Sequence, residues 1–444
     1  MSQSTANLPP SSTLDLAELG AFYRRHLEQD VLPFWLGEPS DRVNGGVFTC
    51  IDNYTGKRVK DDKFVWSQGR FAWLMAHAAR LVRAGLLTGD AEDLTARAVE
   101  TVEFLRANAF LDDGSAAYLL TADGRKQEFI PGKGHDISYF ADCFIALALS
   151  ETARATARWH YLDEAVAAYG RVVARLAAGT ARSEPYPLPS GCRAHAQPMI
   201  LLNVAQELEL ALRQRGDARA EGMAASALAH MDAILGTFVR DDGLVQEVAC
   251  ASDRRGAAGE ATADRLLTTH VTPGHAIESM WFVMEEAARH GRTAAVAKAS
   301  RVLRRSFEAG WDPEYGGIFR YIGGDGKPPT GPADGPFEEL ILGTWDTKIW
   351  WPHSETLYGA LLGHALTGDE RLRAVHDRTF DYVFKTFPHP DASVGEWVQI
   401  RDRRGAPLDR VVGLPVKDPY HLNRNLMLLV ELLQGGLAAR VSGA

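Results

Sequence analysis

The chain is short of cysteine, of long apolar runs and of secretion signals. Its 444 residues hold only four cysteines, which stand far apart. This spacing predicts neither a disulfide framework nor a cysteine-ligated metal site, and it favours reduced thiols. No apolar run approaches the roughly 18 residues of a membrane-spanning helix. The first twenty residues lack the charged and apolar regions of a signal peptide. We therefore expect a cytoplasmic protein that spans no membrane.

Basic clusters and familiar binding motifs are also missing. The formal net charge of -9 is mildly acidic and spread along the chain. No basic run indicates a nucleic-acid partner or an anionic membrane surface. The glycine patterns of dinucleotide and mononucleotide sites do not occur, and neither do the zinc-protease and nucleophile-elbow motifs. These absences favour a protein that needs no cofactor and holds no metal.

What the chain does have is a sixfold pattern of a helix, a short glycine-rich hairpin and a second helix. The hairpin cores are 44–48, 113–118, 242–245, 315–319 and 395–398, with a degenerate copy at about 185–192. A spacing of roughly 60 to 80 residues fits two helices and a turn per repeat. We expect residues 1–13 to be a disordered lead and residues 14–444 to form a single domain.

Apolar periodicity predicts twelve helices. Their approximate spans are 14–36, 63–86, 91–109, 135–155, 159–178, 195–214, 217–237, 272–290, 293–309, 347–367, 370–387 and 420–437. Asp90 and Asp369 are the expected N-caps of two of them. Twelve helices in six hairpins predict an all-α fold, an (α/α)6 barrel with short β-hairpins at the pocket end. The stretch 320–346 is typical of a long functional or mobile loop.

The chemically unusual side chains lie in the first two turns of the even-numbered helices, which would form the inner ring. In a closed ring these turns converge at one end and form a polar, aromatic cup that suits a sugar. Two histidines on opposite faces could remove and return a proton at C2 of an opened sugar. The enediolate that forms needs support at O1 and O2, which Arg70 could supply. The cup residues are Trp66, Arg70, Met199, His275, Glu278, Trp351, His353, Glu355, His421 and Arg424.

Other interpretations of these residues stay open. Each histidine could be a core residue, and Arg70 could be a structural ion-pair partner. His195, at another helix start, is a weaker candidate. A glycoside hydrolase on the same barrel would need two carboxylates across the scissile bond, for which Glu278, Glu355 and Glu396 are available. A sugar-binding protein without catalysis would keep the aromatic cup but would not need two bases at matching helix starts.

Five segments of the chain resemble, in order, the N-acylglucosamine 2-epimerase family. They are 44–50, 63–70, 273–278, 346–355 and 417–421, and the resemblance runs from about residue 34 to about residue 429. The family also includes cellobiose 2-epimerases and aldose–ketose isomerases that act on mannose and related sugars. The resemblance implies an (α/α)6 barrel, a small sugar as the substrate, and no redox cofactor or metal. By analogy, the outer helices would form the contact of a homodimer.

The resemblance also implies roles for five residues of the cup. His275 and His421 would be the two acid/base residues. Arg70 would face the carbonyl group of the opened sugar. Glu355 would assist ring opening or orient a histidine, and Glu278 would support His275 or a sugar hydroxyl.

Three further residues would line the pocket, namely His353, Trp351 and Arg424. Isomerases and cellobiose epimerases of the family often carry an extra histidine early in the sixth helix, whereas this chain has Ile200 there, next to Met199. This difference favours the acylglucosamine branch. The sequence therefore predicts a 2-epimerase of N-acylglucosamine or N-acylmannosamine-type sugars, with an aldose–ketose isomerase of mannose-type sugars as the alternative.

Overall fold

The residues just before the first long helix pack against the barrel. The structure is a computed structural model, and it describes residues 9–184, 186–250, 265–408 and 417–438. Residues 1–8 of the expected lead lie outside this range. Ser11–Thr13 form a short 3-10 turn, in which Ser11 is buried and its hydroxyl donates to Asp377 Oδ1 at 2.7 Å. The end of the lead is therefore packed onto the barrel.

Six helices form a closed inner ring, because each contacts the next and the last contacts the first. They are almost entirely buried, as expected for helices that are surrounded by protein on all sides. All six lie where apolar periodicity predicted them. They are α3 (Val65–Arg83), α5 (Phe140–Thr156), α7 (Ala196–Arg215), α10 (Pro273–Arg289), α13 (Trp350–Thr367) and α15 (Tyr420–Val430).

The outer ring is amphipathic. In α4 an apolar stripe of Leu94, Ala98, Val102 and Leu105 is buried, and the Asp90 side chain caps the helix as expected. Short π-helical segments extend three of the barrel helices, at Leu27–Val31, Ile234–Phe238 and Glu431–Gly435. The outer helices are α1 (Leu16–His26) with α2 (Leu32–Leu36), α4 (Ala91–Asn108), α6 (His160–Ala177), α8 (Arg219–Ala233), α11 (Thr293–Gly310) and α14 (Glu370–Thr386).

Short antiparallel strands ring the pocket end of the barrel. In each sheet the first strand lies just before an inner helix and pairs with a strand that follows the next hairpin, so the sheets connect neighbouring repeats. The pairs are β1 (Lys63–Phe64) with β2 (Leu119–Leu120) and β3 (Lys126–Gln127), β4 (Cys192–Ala194) with β5 (Val248–Cys250), β6 (His270–Val271) with β7 (Ile322–Gly323), and β8 (Lys348–Ile349) with β9 (Ile400–Arg401).

Buried lysines fasten the hairpins to these strands. Lys63 Nζ lies 2.7 Å from Asp41 Oδ2 and donates to the carbonyl oxygen of Gly45 at 2.7 Å. Lys348 Nζ makes the same pair of contacts in the fifth repeat, 3.1 Å from Asp312 Oδ2 and 3.4 Å from the carbonyl oxygen of Gly317. Both lysines are fully buried. Burial lowers the pKa of Lys348 to about 8 against the opposing effect of Asp312.

Two sequence-based expectations need correction here. The expectation of reduced thiols is wrong for Cys192 and Cys250, which form a disulfide between β4 and β5 although they are 58 positions apart in the sequence. The stretch 320–346 is not an open loop, because it contains β7 and α12 (Pro336–Thr344), and the backbone of Arg320 donates to the carbonyl oxygen of Trp345 at 3.0 Å. In the part of the chain that the structure describes, no helix has both the length and the apolar character needed to cross a membrane.

Candidate active site

Two imidazoles contact one indole at the pocket end of the barrel. The ring of His275, at the start of α10, lies 5.2 Å from the ring of Trp351, measured between centroids. The ring of His421, at the start of α15, lies 5.4 Å from the same indole. Gly274 makes room for this arrangement, since a Cβ atom there would come within 2.6 Å of the indole. Residues almost 150 positions apart therefore share one wall of the cup.

A buried glutamate orients His275. Its Nδ1 donates to Glu247 Oε2 at 3.1 Å, which leaves Nε2 as the nitrogen that can accept a proton. The His275 side chain is 34% exposed, so it remains accessible to a ligand. Burial disfavours the charged imidazole, but Glu247 and, more weakly, Glu278 outweigh this effect and raise the pKa of His275 above its ordinary value.

A second buried glutamate orients His421. Its Nδ1 donates to Glu355 Oε1 at 2.7 Å. Glu355 also accepts from Trp281 Nε1 at 2.7 Å and from Arg424 Nη2 at 2.7 Å, and Arg424 in turn donates to Glu278 at 2.6 Å. Burial alone would raise the pKa of Glu355, but Arg424 and His421 lower it to about 2. Glu355 is therefore a fixed anion behind His421.

Arg70 is held by an aspartate and by aromatic rings. Its Nη1 donates to Asp418 Oδ2, and its guanidinium lies 4.2 Å from the ring centre of Phe144 and 5.2 Å from that of Trp66. Trp66 lies one helical turn before Arg70 in α3, so its ring packs beside the guanidinium. The Arg70 side chain is 13% exposed. The pairing also lowers the pKa of Asp418 in spite of its burial.

His353 does not line the pocket. It is fully buried, its Nδ1 donates to the carbonyl oxygen of Ile349 at 2.7 Å, and its Nε2 accepts from the backbone of Ile318 at 2.9 Å. Burial lowers the pKa of His353 to about 3, so the ring stays neutral. Its role is to attach the fifth hairpin to α13. Met199 lies in the first turn of α7 and is 8% exposed.

The residue that sequence reasoning missed altogether is Glu247. It lies two positions after the bridged residue that closes the fourth hairpin. Four other hairpins have a closing bridge, and the residue two positions after that bridge is buried in each of them. The backbone carbonyl oxygens of three of these five residues accept a hydrogen bond from the backbone N–H at the start of an inner helix. An alignment of the hairpins would have found the set, which comprises Thr49, Tyr118, Glu247, Arg320 and Gln399.

One group of side chains at the cup has the composition of a metal site. Ligand atoms of Glu278, Glu355 and His421 lie within 4.8 Å of one another. Arg424 Nη2, however, donates to both carboxylates at 2.6 and 2.7 Å and supplies the cation that they need. A metal ion could bind there only after this guanidinium had moved away, so the group does not fit a resident metal.

The arrangement is suited to moving protons. Each histidine has one nitrogen fixed on a carboxylate and one nitrogen left to react, while Arg70 offers a positive charge nearby. Hydrolysis of a glycosidic bond is poorly served, because the Glu278 and Glu355 carboxylates share Arg424. Glu396, the third acid considered, is buried and lies 2.8 Å from Lys417 Nζ, measured from its Oε2 atom.

Comparison with known proteins agrees with this chemistry. The sequence profile of the family described as N-acylglucosamine 2-epimerase (GlcNAc 2-epimerase) matches residues 46–424. The N-acylglucosamine 2-epimerase of Bos taurus is 30% identical over 92% of this chain and 90% of its own length.

Two solved structures share the fold at 17% sequence identity. They are the cellobiose 2-epimerase from Bacillus thermoamylovorans B4167 and a D-mannose isomerase, each with a TM-score of 0.72 over 93% of this chain, and over 99% and 97% of their own chains. They confirm the (α/α)6 barrel. Because its profile covers most of the sequence, the chain belongs to the N-acylglucosamine 2-epimerase family and is a carbohydrate epimerase, an enzyme of the isomerase class.

Proposed function

We propose that this epimerase inverts C2 of N-acylglucosamine and N-acylmannosamine-type sugars by a two-base mechanism. The observation that carries the proposal is that the rings of His275 and His421 both contact the Trp351 indole, each with its Nδ1 on a buried glutamate. Inversion by proton transfer can use one base that removes the C2 proton and a second that returns a proton to the opposite face.

In the first step, the Nε2 atom of one histidine removes the C2 proton of the ring-opened sugar. The C–H electron pair moves into a C1–C2 double bond, and the aldehyde oxygen gains negative charge. The guanidinium of Arg70 stabilises this oxygen, since a fixed positive charge in a partly buried site is worth more than one in water. Asp418 keeps the guanidinium in place.

In the second step, the other histidine donates its Nε2 proton to C2 from the opposite face, and the aldehyde forms again. The two histidines then exchange protonation states for the reverse reaction. Glu247 and Glu355 stabilise whichever imidazolium forms, and they keep each ring in the tautomer that presents Nε2 to the sugar.

Two features support an N-acyl sugar as the substrate. The bovine relative is named for N-acylglucosamine. At the start of α7, Met199 and Ile200 provide an apolar surface where the isomerase branch often has a third histidine. A methyl-bearing acyl group suits such a surface better than a free hydroxyl does.

The test is incorporation of deuterium at C2 in D2O, followed by NMR with N-acetylmannosamine and N-acetylglucosamine, each supplied separately, and with mannose and cellobiose. The wild-type enzyme should label C2 of N-acetylmannosamine and produce both epimers. His275→Asn and His421→Asn should each lose net epimerisation by about 10²-fold to 10⁴-fold. Each variant keeps one base, so each should still label one epimer, and the two variants should label opposite epimers.

The same experiment separates the rivals. Absence of C2 label in every sugar, with a folded enzyme, would remove the epimerase proposal. Label at C1 together with a ketose product would identify an aldose–ketose isomerase. Exchange with the same epimer in both histidine variants would show that a base other than these two histidines removes the C2 proton of that epimer.

A further inference from the structure

Glu247 has a second imidazole neighbour that the mechanism does not yet use. His195 immediately precedes α7 and is fully buried. Its Nδ1 lies 3.7 Å from Glu247 Oε1, while Glu247 Oε2 accepts from His275 at 3.1 Å. The two carboxylate oxygens therefore face different histidines, only one of which is accessible to a ligand.

The atoms that face each other across this gap are both unsatisfied. Among the described residues, neither His195 Nδ1 nor Glu247 Oε1 has a hydrogen-bond partner, and both atoms are buried. Leaving such a pair unmade costs about 1–3 kcal/mol per group, so a shift of less than 1 Å that joins them is favoured. Imidazole and carboxylate are complementary here, because Nδ1–H donates and the oxygen accepts.

The surroundings hold His195 in position to make this bond. Its backbone N–H donates to the carbonyl oxygen of Glu247 at 2.8 Å, and this contact continues the ladder of β4 and β5 beyond the Cys192–Cys250 disulfide. Its Nε2 lies 3.1 Å from Ser279 Oγ, one turn after His275 on α10. The backbone and Nε2 contacts thus hold the side chain between two elements of the site, with Nδ1 3.7 Å from Glu247 Oε1.

We infer that His195 is a positioning residue for the proposed reaction, which holds the Glu247 carboxylate so that it faces His275. A carboxylate bound through one oxygen can rotate, whereas one bound through both keeps a single orientation. His195 would thereby fix the tautomer of His275 and limit how much of the charge of Glu247 acts on it. The inference rests on the proposed function, in which His275 is one of the two bases.

Substitutions can separate the two ring nitrogens. In His195→Asn the amide nitrogen takes the place of Nδ1 and keeps a donor for Glu247. In His195→Gln the amide nitrogen takes the place of Nε2 and keeps only the contact with Ser279. His195→Gln should lower kcat by about 10-fold to 100-fold with little change in KM, whereas His195→Asn should stay close to wild type.

The pH profile provides the readout that a purely structural role would not change. The charged and titratable groups that act on His275 are Glu247, Glu278, Arg320 and His270, and all remain in these variants. In His195→Gln the charge of Glu247 acts on His275 alone. The pH limb that belongs to His275 should therefore move to higher pH, and in His195→Asn it should not move.

An NMR titration of His275 Nε2 in the folded protein gives the same information without turnover, and melting curves check folding. If both variants lose the same activity with an unchanged His275 titration, His195 is only a packing residue and the inference is overturned. Wild-type activity and titration in His195→Gln would overturn it as well. Failure of the wild-type enzyme to exchange C2 would instead overturn the proposed function, and the titration would still decide the role of His195.

Discussion

At the residue scale, the two candidate bases differ in how much negative charge each receives. Glu355 divides its charge among His421, Arg424 and Trp281. Glu247 has no cationic partner in the described residues apart from imidazoles. The pKa of His275 is raised for this reason, although burial acts in the opposite direction. The His275 side of the site therefore holds its proton more firmly than a free imidazole would.

Glu247→Gln should lower the pKa of His275, because it removes the charge that stabilises the imidazolium. In the direction where His275 is the base, it must be neutral, and the acidic limb of kcat/KM should move to lower pH. In the reverse direction His275 is the acid, so the alkaline limb should move to lower pH. We expect kcat to fall about 10-fold or more. Profiles measured from each epimer check this.

The exposed Glu314→Gln change is the control, and it should leave both profiles unchanged. A Glu247→Gln enzyme whose limbs remain where they are in the wild type would contradict the assignment of His275 as a titrating base.

Gly274→Ala should disturb both bases at once. The new methyl group would come within 2.6 Å of the Trp351 indole, which lies against both imidazoles. Because a misplacement of about 1 Å in a catalytic group can cost 10²-fold in rate, we expect kcat to fall by about that factor. Gly170→Ala is the matched control, since a Cβ there meets no atom within 4 Å. Equal activity of the two variants would contradict the spacing role of Trp351.

At the scale of elements, the helices were predictable and their connections were not. Periodicity placed every barrel helix because one face or all faces are buried, and Asp90 and Asp369 cap their helices as expected. Strands of two or three residues are too short to show the alternation of apolar and polar residues that predicts a strand. The disulfide was missed because β4 and β5 bring Cys192 and Cys250 together by their register, which cysteine spacing does not encode.

The buried lysine of the first repeat gives a prediction for the hairpins. Lys63→Met should destabilise the protein by about 3 kcal/mol, because Asp41 would then keep a buried charge without its cation. The double variant with Asp41→Asn should recover part of the loss. Urea unfolding measures both, with the exposed Lys60→Met as the control. If Lys63→Met unfolds at the wild-type urea concentration, the lysine does not fasten the hairpin.

The β4–β5 disulfide should contribute stability of its own. Because its cysteines are 58 positions apart in the sequence, its reduction should lower the free energy of unfolding by about 2–4 kcal/mol. Melting curves with and without a phosphine reductant measure the effect. A Cys192→Ser/Cys250→Ser variant should melt like the reduced protein and should not respond to the reductant. Two free thiols at these positions in oxidised protein, detected by mass spectrometry, would contradict the pairing.

At the scale of the whole molecule, ring closure brings distant segments to one site. The sequence predicts a shared site for Arg70, His275, Glu355 and His421, and in the structure each lies early in an inner helix. The prediction missed Glu247 because that residue follows a hairpin, and the side-chain chemistry of the hairpin set varies from repeat to repeat. It included His353 wrongly, since position along a helix does not tell which way a side chain faces.

Convergence of this kind predicts the pattern of hydrogen exchange on sugar binding. N-acetylmannosamine should slow exchange in four separate segments together, at 63–70, 270–278, 348–355 and 417–424, because their helix starts and strands surround one cup. The opposite end of the barrel, for example 213–219 and 289–293, should exchange unchanged and serves as the internal control. Exchange followed by mass spectrometry resolves these peptides. Protection of a single segment would mean that the sugar binds one repeat and not the shared cup.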